Sequence, residues 1–218
     1  MNNIYVCFDC DDINPALEDG RYNIKRLKKE YPEMTICYFV PQFWHACTFL
    51  NNLGVKINDV TKTSEPYYEA DEIGYHGMLH MNSIGQGERE FLCTLDYFKE
   101  ILKNKILYTR YNDSKLIRSP GWSITRDNYN YLKDNNWIIA DHSSKYTNID
   151  IINIHEPIRK ITAENIILHS HIAERCGKNN IDNPDNYNNT LKWIEYLSMN
   201  YNLKWDLCSN IYKRGILK

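Results

Sequence analysis

Three carboxylates crowd into four positions at Asp9-Cys10-Asp11-Asp12, directly after the apolar residues 4–8. Burying such charges without compensation is costly, so a cation belongs beside them; the bland alternative is a solvated loop whose aspartates cap the next helix. Further along, Tyr75-His76-Gly77-Met78-Leu79-His80 spaces two histidines by three residues, which lets both face one way on a helical turn. Two imidazoles and one carboxylate are a common three-ligand metal set with an open position for water, although two unrelated surface histidines would leave the same trace. Arg118-Ser119-Pro120-Gly121-Trp122 offers a guanidinium to hold a carboxylate and an indole for a sugar face, or else a surface Arg and a core Trp. Finally, His169 and His171 follow the apolar run Ile166-Ile167-Leu168, where an imidazole can serve as a general acid or sit in the core with one nitrogen satisfied.

These groups need elements to position them, and hydrophobic periodicity supplies a set. Residues 4–8 and 35–40 are β-branched and aromatic and read as strands, the second ending at Pro41; a third ends near Tyr75. Between them lie helices expected over residues 21–30, with Ile24 and Leu27 on the inner face, and over residues 43–50. Phe91, Leu95, Phe98 and Leu102 predict a helix over 88–102, and Thr125 an N-cap for a helix through Lys133. Leu116-Ile117 and residues 137–140, 151–154 and 166–168 complete the apolar strands, followed by a helix over 191–199 and a last strand over 205–207. Strands alternating with helices, with no linker or repeat, predict one α/β domain over residues 1–218 with a largely parallel sheet, open or closed into a barrel. Active groups in such folds gather at the C-terminal strand ends, where all four polar constellations fall.

Composition narrows the partners. The 218 residues are 43% hydrophobic and 25% charged with a formal net charge of -2, so no broad basic surface for nucleic acid is expected. Met1-Asn2-Asn3-Ile4 opens on neither a basic nor a long apolar stretch, and no apolar run approaches the roughly 18 residues of a membrane span. The seven cysteines are odd in number and scattered through apolar segments, the pattern of buried free thiols in a reducing, cytoplasmic compartment. Cys7 and Cys10 form a C-x-x-C, but no second pair completes a zinc site around them.

Taken together these segments resemble the polysaccharide-deacetylase, or NodB-homology, family of carbohydrate esterases. Asp11-Asp12 is similar to its Asp-Asp motif, which implies Asp11 as catalytic base and Asp12 as metal ligand. His76 and His80 match the ends of its histidine motif, Arg118 through Trp122 its third motif, residues 137–144 its fourth, and Ile167-Leu168-His169 its fifth. The likeness runs over residues 4–171 in family order and implies a distorted (β/α) barrel of about seven strands. It also implies one divalent metal held by Asp12, His76 and His80, zinc first, with cobalt, nickel or iron also accepted by these ligands. Arg118 would then aim Asp11, His169 would act as acid, and Trp122, Pro120 and Asp141 would line the substrate site. Asp9 permits a second register, Asp9 as base and Asp11 as ligand, and His171 is the alternative acid. Asp141 is the expected carboxylate partner of His169. Ile13 and Gly77 depart from the residues the family carries there.

The activity implied is hydrolysis of an N-acyl group from an amino sugar or glycan by metal-activated water. Two competing readings are a metal-dependent hydrolase of another C–N bond, such as a ureide, and a non-catalytic glycan-binding relic.

Overall fold

Side chains on a β-strand alternate between faces, and the longest strand of this chain uses both. The computed structural model describes residues 1–11, 22–41, 69–77, 89–103, 115–170 and 184–218. Within them run eight strands: β1 (Asn3–Asp11), β2 (Ile36–Val40), β3 (Glu72–Tyr75), β4 (Leu116–Ile117), β5 (Ile138–Ile139), β6 (Ile149–Asn153), β7 (Asn165–Ser170) and β8 (Asn202–Trp205). The α-helices among these residues are α1 (Tyr22–Glu30), α2 (Leu95–Lys103), α3 (Arg126–Asp134), α4 (Pro184–Asn200) and α5 (Cys208–Arg214). Seven strands lie in the order β5-β4-β3-β2-β1-β7-β6, all parallel, in a mixed α/β fold whose sheet curls into a half barrel, the architecture of a distorted (β/α) barrel.

The alternation of β1 divides the interior in two. Val6, Phe8 and Cys10 face outward into a core shared with Tyr38, Val40 and Leu168, covered by Ile24 and Leu27 of α1 and Trp193, Ile194 and Leu197 of α4. Each such side chain contributes roughly 1.5–3 kcal/mol on burial. Cys7 faces the other way, into the hollow of the curl, where Cys37, Phe39, Leu116 and Ile167 meet Cys208, Ile211 and Tyr212 of α5. Cys7 and Cys10 therefore lie on opposite faces of the sheet, and the C-x-x-C motif does not act as a pair.

β8 takes the same edge of β1 as β2 does. It pairs over Asn3 to Val6, whereas β2 pairs over Phe8 to Asp11, and Thr35 seals the junction by donating its hydroxyl to the Asp206 carbonyl at 2.6 Å. The last strand thus begins at Asn202, earlier than the 205–207 expected from sequence, and α5 follows it unanticipated. α2 begins at Leu95 rather than 88, because the Phe91 and Cys93 carbonyls accept from the buried Asn128 side chain at 3.0 Å each instead of continuing a helix. Thr125 caps α3 as expected, accepting from the Asn128 amide at 3.2 Å. α4 is longer than the 191–199 expected, and the helix expected over 43–50 lies outside the described residues. Among the described residues no helix is long and apolar enough to cross a membrane.

Candidate active site

Asp9 and Asp11 stand two residues apart on β1, so both point into the hollow above Cys7. Parallel register then selects their neighbours. Asp9 is level with His169 on β7, and Asp11 with Phe39 on β2. His169 Nδ1 lies 2.7 Å from Asp9 Oδ1 and donates to it.

Arg118, carried just past β4, supplies the cation that the carboxylates require. Its Nη2 donates to Asp9 Oδ2 at 2.5 Å and its Nη1 to Asp11 Oδ1 at 2.6 Å, while Nε donates to the Ala140 carbonyl at 2.9 Å. Nη2 also reaches the Tyr212 hydroxyl at 3.3 Å. The guanidinium also meets two rings, its Cζ 3.9 Å from the centroid of Phe39 and 4.4 Å from that of Trp122. Arg118 and Asp9 are both 0% exposed, so this is a fully buried ion group rather than a surface pair. Burial alone would push the Arg118 pKa down, but the charges of Asp11 and Asp9 outweigh it and hold the pKa well above its ordinary value. Burial likewise raises the Tyr212 phenol well above its usual range, so it serves as a neutral partner. Arg118 Nη1 comes within 3.4 Å of His169 Nδ1. Both are donors in this arrangement, and the Asp9 carboxylate between them makes the approach tolerable.

His76 closes the group. Its Nδ1 is 3.0 Å from the Arg118 carbonyl oxygen, which only accepts, so Nδ1 donates there, and Nε2 lies 3.9 Å from Asp11 Oδ2. That separation is too long for a hydrogen bond. It suits two ligands of one ion, since metal–oxygen and metal–nitrogen bonds of about 2.0–2.2 Å place neighbouring ligand atoms roughly 3–4 Å apart. A backbone carbonyl that fixes the tautomer of a ligating imidazole is a recurrent outer-sphere feature of metal sites. Asp12, His80 and His171 lie outside the described residues. Among the described residues the three-ligand cluster compact enough for a metal is a different one, Cys37, Glu72 and Cys208.

The remaining candidates fall around this group. Trp122 sits in a short 3-10 segment (Pro120–Trp122) with φ values of 56° at Gly121 and 55° at Trp122 itself, a left-handed conformation uncommon for tryptophan. The strained turn delivers the indole edge-on to His169, with centroids 5.2 Å apart, and stacked on the exposed His142 at 4.6 Å. Pro120 is buried beside Gly77, whose φ is 89°; a Cβ at that glycine would overlap the Glu90 carboxylate and lie 2.9 Å from Pro120 Cγ. Gly77→Ala should therefore cost about 1–3 kcal/mol, and an unchanged urea midpoint for that variant would contradict the described backbone. Asp141 is committed elsewhere: its Oδ1 accepts from the His142 amide at 2.7 Å and its Oδ2 pairs with Lys145. The carboxylate on His169 is thus Asp9, not Asp141. Residue patterning gave no sign of Phe39, Tyr212 or His142, because an aromatic beside a charge looks like ordinary core until the strands are placed.

No protein-family model matches the chain, and comparison with curated proteins and with solved structures finds no match.

Proposed function

We propose that this chain is a metal-dependent hydrolase of the polysaccharide-deacetylase type, cleaving the N-acyl group from an amino sugar or glycan. The observation that carries the reading is the Asp9–Arg118–Asp11 group, with His169 bonded to one carboxylate and His76 Nε2 3.9 Å from the other, a carboxylate–imidazole spacing that one divalent ion can bridge.

The geometry favours the second register, Asp11 as ligand beside His76 and Asp9 as base. Asp11 and His76 would hold a divalent metal there, zinc first by its ligand types with cobalt, nickel or iron also accommodated, and the ion would supply an activated water by lowering its pKa from about 15.7 toward 7. Asp9 takes a proton from the attacking water, using acceptor sites that its bonds to Arg118 and His169 leave on its two oxygens. His169 Nε2 delivers a proton to the leaving nitrogen, which would otherwise depart as an amide anion. Water oxygen joins the acyl carbon, the C–N bond breaks, and a carboxylic acid and a free amine result. Asp9 ends with one proton more and His169 with one fewer, and exchange of each with water returns the pair to its starting state. Arg118 aims both carboxylates, and Trp122 walls His169 from bulk water.

The test is acetate release from a panel of N-acetylated sugars by metal-loaded protein, with an activated ester assayed in parallel. His169→Ala should reduce amide turnover by about 10²- to 10⁴-fold while harming the ester, whose leaving group needs no proton, far less. Equal harm to both would make His169 a positioning residue, and hydrolysis of ureide rings with no acetate from any sugar would replace the deacetylase reading.

A further inference from the structure

Below the carboxylates, deeper in the same hollow, a second group of metal-ligating side chains converges that the proposed reaction does not use. Cys37 on β2 is directly level with Glu72 on β3, and both face inward. Cys208, the first residue of α5, closes against them, and one ligand atom from each of the three lies within 4.8 Å of the others. Cys7 on β1 lies in the same buried cluster as Cys37 and Cys208, its thiol donating to the Phe8 carbonyl at 3.4 Å. All four residues are buried. Glu72 Oε2 accepts from the Ser209 amide at 2.9 Å, which orients the carboxyl toward the thiols.

We propose that Cys37, Glu72 and Cys208 form a zinc site that fastens the C-terminal helix to the second and third strands. Two sulfurs and one oxygen are a soft donor set, suited to zinc and unlike the nitrogen and oxygen set above it. Zinc–sulfur bonds of about 2.3 Å separate neighbouring sulfurs by roughly 3.7 Å in a tetrahedral site, inside the 4.8 Å that bounds the spacing of the three ligand atoms. The ligands come from two adjacent strands and from a helix that follows β8, so a shared ion ties together segments far apart in the chain. A buried carboxyl beside two thiols gains little from packing, whereas a cation would turn the same three groups into ligands.

Cobalt(II) substitution of the full chain, stripped of metal by chelator under reducing conditions, separates this site from the upper one. Thiolate ligation gives an intense sulfur-to-cobalt charge-transfer band, which a site of carboxylates and imidazoles lacks. The expected result is a saturable thiolate band in the unaltered protein, with one equivalent of cobalt per chain responsible for it. The band should be lost in Cys208→Ser and in Cys37→Ser and kept in His76→Ala. Absence of the band from the unaltered protein overturns the proposal without reference to any variant. So does a band that survives both serine substitutions. The outcome stands apart from the deacetylase reading, because the band reports only sulfur ligands.

Discussion

Asp11→Asn should strip the upper site of its metal, whereas Asp9→Asn should keep that metal and lose about 10²- to 10⁴-fold in turnover. An asparagine at position 11 is a neutral and weaker ligand beside His76 Nε2. At position 9 it can still hydrogen bond to water and to Arg118, yet it cannot take a proton. His76→Ala should behave like Asp11→Asn. The measurement is metal content outside the cysteine cluster, paired with turnover on an N-acetylated sugar. The reverse pattern, metal kept in Asp11→Asn with activity lost, would restore Asp11 as the base and Asp12 as the ligand.

Arg118→Met should destabilise the protein by about 3–5 kcal/mol, the usual cost of removing one partner from a buried ion group. Methionine keeps part of the contact with Phe39 and Trp122, so lost packing is the smaller part of the effect. The larger part is that Asp9 and Asp11 remain, fully buried, without their cation. Combining Arg118→Met with Asp9→Asn and Asp11→Asn removes the uncompensated charge and should recover much of the loss. Urea unfolding of the single and triple variants checks both statements. A single variant within about 1 kcal/mol of the parent would mean that the carboxylates do not depend on Arg118.

Much of this arrangement was legible in the sequence, and the parts that were not have particular causes. The strands bearing Asp9, His76, Arg118 and His169 were readable because each ends an apolar run in a polar group. The choice between registers was not, because strand 1 was expected to stop at Phe8, where the hydrophobic residues stop. The strand continues through Asp11 because Arg118 and His169 receive its carboxylates inside, and only within a strand do residues 9 and 11 share a face. The start of α2 was misplaced because Phe91 fits the helical spacing yet is buried from a turn. Cys7, Cys37 and Cys208 read as scattered thiols because their proximity depends on sheet order and on α5, a short helix whose apolar residues are too few to stand out. Asp141 is the expected partner of His169 because it ends the preceding strand region in the chain, but β5 and β7 lie on opposite sides of β1.

The edge of β1 shared by β2 and β8 bears on how the protein is made. Synthesis is vectorial, and β1 emerges first. Its pairing with β2 can form early, but β7 and the β8 half of the shared edge are not available until residues 165–205 have left the ribosome. Until β7 follows, Asp9 and Asp11 sit on a strand with one bare edge, and until β4 follows they are without Arg118. Two charges near the end of an unpaired strand discourage pairing with a neighbouring nascent chain.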